Sequence, residues 1–200
     1  IDQELLWSLF HSVGLSLTGK GRIALMNTKQ LKPGDSVFIE SKALGELIGW
    51  LKQQGYSVIA PTIKDNAITL GPIDTLADLP IGWTDEQEAG RYRLTKRDDK
   101  AFFGYVVGPH SWKRFLHPPE VRLFAAVRQE SSFKILDNES PPSRYAFLGV
   151  RGCDLAAMKT QDRVLLQDKF VDAIYQERRR DNFIVAVNCT LAAPTCFCSS

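Results

Sequence analysis

The stretch AFLGVRGCDLAAMKTQDRVLL, residues 146–166, decides the fold class together with FIVAV at residues 183–187. Residues 146–150 and 183–187 are short, continuous apolar runs, which is the pattern of strands covered on both faces. Residues 154–166 lie between them and carry an amphipathic helical pattern. A strand, a helix and a strand in this order predict a parallel βαβ unit.

The chain before this unit mixes helical and strand patterns, so the predicted fold class is α/β, a mixed α+β region followed by the βαβ unit. Gly, Pro and charged residues dominate residues 75–100 and predict an irregular excursion. The other expected elements are helix 2–17, helix 44–51 ending at Gly55, a hairpin of 56–61 with 67–70, strand 101–107, a short helix over 109–116, and short apolar elements over 120–127 and 133–136.

Two regions are predicted, 1–140 and 141–200, because the clearest loop signal is DNESPPSR at residues 137–144. The first is the mixed α+β region and the second carries the cysteines. The sequence begins at Ile1 and ends just after a cysteine loop. We therefore expect a fragment of a longer subunit, whose second region continues beyond residue 200.

Composition narrows the class of protein. Of the 200 residues, 44% are hydrophobic and 24% charged, as in ordinary globular proteins. The net charge of +2, from 25 basic and 23 acidic residues, predicts no nucleic-acid partner. No run reaches the roughly 18–20 apolar residues of a membrane span, and the start lacks signal-peptide features, which favours a cytoplasmic location.

All four cysteines, Cys153, Cys189, Cys196 and Cys198, lie in the last quarter of the chain. Cys153 follows the first strand of the βαβ unit and Cys189 the second, so both are expected at the edge where parallel strands end. A helix N-terminus and Arg151 are expected to lower the pKa of Cys153 and favour its thiolate. Four thiolates are the ligands of a 4Fe–4S cluster.

The spacing of these cysteines leaves the bound group open. A common ferredoxin pattern keeps three cysteines two residues apart, whereas here the run is Cys189, Cys196 and Cys198. Structural zinc accepts the same four sulfur ligands. Free or disulfide-bonded thiols are a third interpretation.

Several segments resemble the beta subunit of sulfhydrogenase-type nickel–iron hydrogenases, and the related A subunit of anaerobic sulfite reductase is similar. They are GVRGCDLAAMKTQDRVLL at 149–166, YQERRRD at 175–181, NCTLAAPTCFCSS at 188–200, GRYRL at 90–94 and GYVVGPHSWKRFLHPP at 104–119. The resemblance implies an electron-transfer subunit in which an α/β region precedes a ferredoxin-like domain with two 4Fe–4S clusters. That second domain has no counterpart here, because no C-x-x-C-x-x-C run occurs.

The leading hypothesis is an iron–sulfur relay in an oxidoreductase complex, with a 4Fe–4S cluster held by Cys153, Cys189, Cys196 and Cys198 and no catalytic centre in this chain. Cys189, Cys196 and Cys198 are the firmer ligands. Expected partners are other subunits of a hydrogenase-like complex, including a flavin or catalytic subunit. Two alternatives stay open: a subunit-assembly module with zinc or free thiols, and a flavin-binding half of a reductase. The terminal electron acceptor is not specified by any motif.

Other polar residues favour ordinary structural roles. Asp85, Glu86 and Glu88 are interpreted as loop charges rather than catalytic carboxylates. His110 lies at a short helix start that could hold an anion, although Trp112 and Phe115 in the same segment are expected to fill the core.

Overall fold

The structure is a computed structural model that describes residues 32–36, 38–106, 108, 110–122, 124–129, 132–136, 144–167, 169–194, 196 and 198. The predicted helix 2–17 lies outside these residues. The chain divides into two compact units, residues 1–47 and residues 48–200. In the first unit, a turn over residues 32–35 is closed by hydrogen bonds between Lys32 and Asp35.

The described elements are, in chain order, α1 (Lys42–Gln53), β1 (Ser57–Lys64), β2 (Ala67–Pro72), a 3-10 turn (Leu76–Asp78), β3 (Trp83–Glu88), β4 (Arg91–Lys96), α2 (Lys113–Leu116), β5 (Ala125–Gln129), β6 (Ser132–Leu136), β7 (Tyr145–Val150), α3 (Gly152–Leu166), α4 (Ala173–Arg179) and β8 (Phe183–Ala186). Helix α1 confirms the predicted helix 44–51, and the chain turns after it at Gly55, whose φ is 81°.

Four strands form the main sheet in the order β2-β1-β7-β8. Strand β1 is antiparallel to β2 and parallel to β7, and β7 is parallel to β8. Helices α3 and α4 connect β7 to β8; α3 is the predicted helix of the βαβ unit, α4 was not predicted, and the α/β class is confirmed. The predicted boundary at residue 140 stays a prediction.

The first hairpin joins β1 to β2 as predicted. Asp65 and Asn66 form its two-residue turn with φ values of 51° and 58°. Positive φ at both central residues is typical of the type I′ turn, whose twist matches that of the flanking strands. This hairpin therefore places β2 beside β1 through a local signal.

The predicted irregular excursion over residues 75–100 is wrong for residues 83–96, where β3 and β4 pair as an antiparallel hairpin. Gly90, with φ of 70°, lies in the connecting turn. The charges that suggested a loop lie mostly on the exposed face, but Asp85 is only 6% exposed. Its carboxylate accepts hydrogen bonds from Val106 N at 3.0 Å and from Gln87 Nε2. The interpretation of Asp85 as loop charge is therefore wrong.

The predicted strand over residues 101–107 is also wrong for residues 101–106, which form turns and bends. Two arginine side chains take the backbone carbonyls that a strand partner would need. Arg97 Nη1 donates to Gly104 O at 2.9 Å, while Arg151 Nη2 donates to Phe103 O at 2.9 Å and Tyr105 O at 3.0 Å. Side-chain donors satisfy this backbone without a ladder.

The hairpin of β5 and β6 agrees with the apolar elements expected over 120–127 and 133–136. Its residues are mostly exposed, including Phe124 at 64%, Phe133 at 72% and Ile135 at 67%. Their side chains are accordingly not part of the buried core.

The core lies between the main sheet and helices α2, α3 and α4. The Phe147 side chain is fully buried, with its ring centroid 5.1 Å from that of Trp112 in an edge-on arrangement and 5.7 Å from the stacked ring of Tyr145. Phe115 packs edge-on against Tyr145. The predicted core role of Trp112 and Phe115 is therefore confirmed.

A polar cluster joins α3 to α4. Asp162 accepts a 2.7 Å hydrogen bond from the Tyr175 hydroxyl and pairs with the Arg179 guanidinium at 3.0 Å. Burial, and after it the hydrogen bond to the Asp162 carboxylate, raise the pKa of Tyr175. The βαβ helix is thereby held to the segment that leads into β8.

The outer edge of β2 is met by two neighbouring segments. The Ile68 N–H donates to the Tyr92 hydroxyl oxygen of β4 at 2.9 Å. Gly108 lies so close to the Ile68 carbonyl that a Cβ at that position would come within 2.4 Å of its oxygen. Polar groups at this edge therefore already have neighbours within the chain.

Candidate functional site

Cys153 and Cys189 lie where the parallel strands β7 and β8 end. Cys153 is in the first turn of α3, three residues after Val150 ends β7, and Cys189 follows β8. Both thiols are free and exposed. The sulfur of Cys189 is near enough to influence the titration of Cys153 electrostatically. The predicted convergence at one edge of the sheet therefore holds for this pair.

Arg151 lies between these two segments and is only 3% exposed. Its Nη1 donates to the carbonyl oxygen of Asn188 at 3.1 Å, one residue before Cys189. Its Nη2 donates to the carbonyls of Phe103 and Tyr105. The guanidinium carbon also lies 5.8 Å from the centroid of the Tyr105 ring. One side chain therefore joins the end of β7 to two other segments.

The start of α3 is held by Asp154. Its Oδ2 accepts a hydrogen bond from the Arg151 N–H at 3.0 Å. Arg151, in an extended conformation, is the N-cap, and the Asp154 side chain reaches back to it from the third helical position. This arrangement resembles one half of a capping box and fixes the helix start next to Cys153.

The expectation of a lowered pKa for Cys153 is wrong. Although Cys153 is exposed overall, partial burial of its thiol raises the pKa, and the negative charges of Asp154 and of a Cys189 thiolate raise it further. The helix N-terminus does not outweigh these effects, and the Arg151 guanidinium is turned toward three backbone carbonyls. These effects favour the neutral thiol over the thiolate at Cys153.

Cys196 and Cys198 are free and exposed on the chain beyond β8. The Cys196 N–H donates to the Ala193 carbonyl at 2.9 Å, which closes a turn around Pro194. Proline is favoured at this turn position because its φ is already set. The predicted stiffening of the loop by Pro194 is consistent with this turn.

The donor chemistry of the four cysteines fits an iron–sulfur cluster or zinc, since free accessible thiols are the ligands of both. In the part of the chain that the structure describes, no three His, Cys, Asp or Glu residues are grouped closely enough to hold a metal ion. Cys153 and Cys189 follow the ends of the neighbouring parallel strands β7 and β8. Binding through all four would require the chain beyond β8 to bring Cys196 and Cys198 to that pair.

A small cleft, partly open to solvent, is lined in part by Arg151 and Asp154, which are close to Cys153 in the sequence. Its walls include the apolar side chains of Pro61, Ile68 and Leu70, and its polar lining includes His110 and Asp154. His110 Nδ1 is 3.1 Å from Arg114 Nη1. An arginine can only donate, so Nδ1 accepts and the neutral ring carries its proton on Nε2.

Arg151 is the residue of this site whose role the sequence analysis missed. It was expected to add positive charge near the thiols, but its hydrogen bonds reach Phe103, Tyr105 and Asn188. A charged residue directly after a continuous apolar strand is a signal that could have indicated burial. Its partners, however, come from distant parts of the sequence.

The comparisons with known proteins give one local match. Over 93 residues, the chain is 32% identical to the protein named sulfhydrogenase 2 subunit beta of Pyrococcus furiosus, a match that covers 44% of this chain and 27% of that protein. The chain therefore spans about a quarter of the length of this relative. No family model and no solved structure matches the chain. The match supports a relationship to a hydrogenase beta subunit.

Proposed function

We propose that this chain is part of an electron-transfer subunit of a hydrogenase-like oxidoreductase complex. The supporting observation is the juxtaposition of two exposed, free cysteines, Cys153 and Cys189, at the end of parallel strands β7 and β8. The local identity with a protein named as a hydrogenase subunit agrees with this proposal.

Cys153 and Cys189, joined by Cys196 and Cys198, would hold a 4Fe–4S cluster. When bound, such a cluster supplies one-electron transfer without substrate chemistry in this chain. The chain's own contribution begins with the thiols. Cys153 must lose its proton on binding, and its raised pKa makes that loss dependent on pH.

The surroundings of the thiols govern access and orientation. The cap formed by Asp154 fixes the backbone next to Cys153, while the turn around Pro194 restrains the backbone that leads to Cys196. Backbone N–H groups at the start of α3 have no partner inside the helix and can donate to sulfur. Such donors stabilise negative charge on a metal-bound sulfur.

Partner subunits are part of the proposal because the relative is a subunit by name. A flavin or catalytic subunit is the expected partner, and a cytoplasmic location is expected with it. In the described part of the chain no helix is both long and apolar enough to span the bilayer.

The test is anaerobic isolation of the chain, followed by analysis of iron, acid-labile sulfide and zinc. We expect iron and sulfide in equal amounts, visible absorbance that bleaches on reduction, and an electron paramagnetic resonance signal in the reduced protein. Stoichiometric zinc without colour would instead favour the subunit-assembly module. A colourless protein without iron after reconstitution would exclude the proposal.

Variants assign the ligands. Cys189→Ser is expected to remove bound iron, and Cys153→Ser tests the fourth ligand. Met158→Leu is the matched control, because Met158 is a buried sulfur-containing residue of the same helix that is not proposed to bind metal. This swap keeps the side-chain volume and should keep the iron content. Equal iron loss in the control would point to general unfolding instead of ligand loss.

A further inference from the structure

We propose that Arg151 is a positioning residue, whose guanidinium sets the separation between the Cys153 and Cys189 thiols. The inference rests on the proposed function only in taking these two thiols as ligands. It concerns the metal-free chain as much as the loaded one, since the contacts of Arg151 involve no bound group.

Two consecutive hydrogen bonds tie the chain after β8 to the end of β7. The Val187 N–H donates to the Val150 carbonyl at 2.8 Å, and Arg151 Nη1 donates to the Asn188 carbonyl at 3.1 Å. Cys189 is the next residue after this tie. Cys153 lies two residues beyond Arg151 on the other side. Only a few residues therefore lie between each cysteine and these two hydrogen bonds, one from the backbone and one from the Arg151 side chain.

The second amino group of Arg151 restrains the orientation of the guanidinium. Nη2 donates to Phe103 O at 2.9 Å and Tyr105 O at 3.0 Å. A planar fork with donors on both amino groups can hold three carbonyls at once, which a lysine ammonium on a flexible stem does less well. The side chain is consequently anchored from two directions.

Packing alone does not account for an arginine at this buried position. No carboxylate forms an ion pair with Arg151 in the described residues. Moving an unpaired cation out of water is costly, and a methionine of similar length would fill the space without that cost. What methionine cannot do is donate to the Asn188 carbonyl. Methionine could not donate to the Phe103 or Tyr105 carbonyls either, but of the three contacts the one to Asn188 adjoins Cys189.

The test measures the separation of the thiols in the metal-free chain. Cys196→Ser and Cys198→Ser leave Cys153 and Cys189 as the only thiols, and a short bis-maleimide cross-links them. Arg151→Met should slow the cross-linking step by about tenfold, because the local concentration of one thiol at the other falls when the tie is lost.

Arg178→Met is the matched control. Arg178 is half-buried, and its Nη1 donates to the Phe115 carbonyl at 3.1 Å, a contact that involves neither thiol segment. Urea unfolding of both variants compares their loss of stability. We expect the control to keep the cross-linking rate of the parent. An unchanged rate in folded Arg151→Met, or equal slowing in both variants, would overturn the inference.

A second measurement covers the case in which Arg151→Met does not fold. In protein that retains Arg151, a variant with only Cys153 and Cys189 is compared with a variant with only Cys153 and Cys198. The first should cross-link about tenfold faster, because only Cys189 adjoins the hydrogen bond from Arg151 to the Asn188 carbonyl. Equal rates would overturn the inference. Both measurements are made without iron, so a chain that binds no cluster would refute the proposed function and leave this result standing.

Discussion

Substituting Gly149 by alanine should destabilise the protein strongly. Gly149 lies in β7 with φ of 93°, at the irregularity where the pairing with β8 shifts between Leu148 and Val150. A side chain in this left-handed region costs about 1–2 kcal/mol. A Cβ there would also approach Phe103 Cε1 to 2.9 Å and Pro61 Cδ to 3.3 Å. Overpacking of this kind costs about 1–3 kcal/mol.

The two effects together predict a loss of about 2–5 kcal/mol, a large part of a typical folding free energy. Urea denaturation followed by far-ultraviolet circular dichroism measures it. With a slope of about 2 kcal/mol per molar urea, the midpoint should fall by roughly 1–2.5 M while the slope stays constant.

Gly49→Ala is the control. Gly49 is exposed in the interior of α1, and nothing lies within 4 Å of a Cβ placed there. This substitution should stabilise the protein by about 0.5–1 kcal/mol, because alanine loses less backbone freedom on folding. Combining Gly149→Ala with Phe103→Ala separates the steric part from the backbone strain, since only the steric part depends on the ring. A Gly149→Ala variant within about 0.5 kcal/mol of the parent would refute the reasoning.

Three further predictions concern the core and two ionisable groups. Phe147→Ala should cost about 3–5 kcal/mol in urea unfolding because Phe147 is fully buried, whereas Phe133→Ala, at 72% exposed, should change stability by less than about 0.5 kcal/mol. The rate of Cys153 alkylation should rise with pH, and the midpoint of this rise should lie above that of an ordinary thiol. Asp154→Asn should lower the midpoint. An unchanged midpoint would contradict the role given to the Asp154 charge. The Arg97 guanidinium lowers the pKa of Asp99 to about 2, so the stabilising pair should persist above about pH 4 and be lost as the pH falls toward 2. Titration of the Asp99 carboxyl by nuclear magnetic resonance should show this midpoint, and Arg97→Gln should return it to the usual range.

The parts of the fold that were predictable from sequence depend on neighbours along the chain. The apolar runs at β7 and β8, and the turn residues Asp65 and Asn66, carry their structural preferences locally. Periodicity was therefore sufficient for the βαβ unit and for the first hairpin.

The missed parts depend on contacts between distant residues. Strand β3 appeared as a charged loop because nothing in its sequence indicates that Asp85 is buried against Val106. Residues 101–106 have strand composition, yet Arg97 and Arg151 take their carbonyls. At the site, sequence placed Cys153 and Cys189 together, but it misjudged the pKa of Cys153 because burial and neighbouring negative charge cannot be read locally.

The contacts on β2 bear on whether a strand of another molecule can add to the main sheet at that edge. An uncovered edge strand presents unpaired N–H and C=O groups to which a strand of another molecule can add. Tyr92 accepts the outward N–H of Ile68, and Gly108 lies against the carbonyl of the same residue. An incoming strand would have to displace both before it could pair there. Addition of a strand from another molecule to the main sheet is thereby disfavoured on the β2 side, and β8 is the opposite edge strand of this sheet among the described residues.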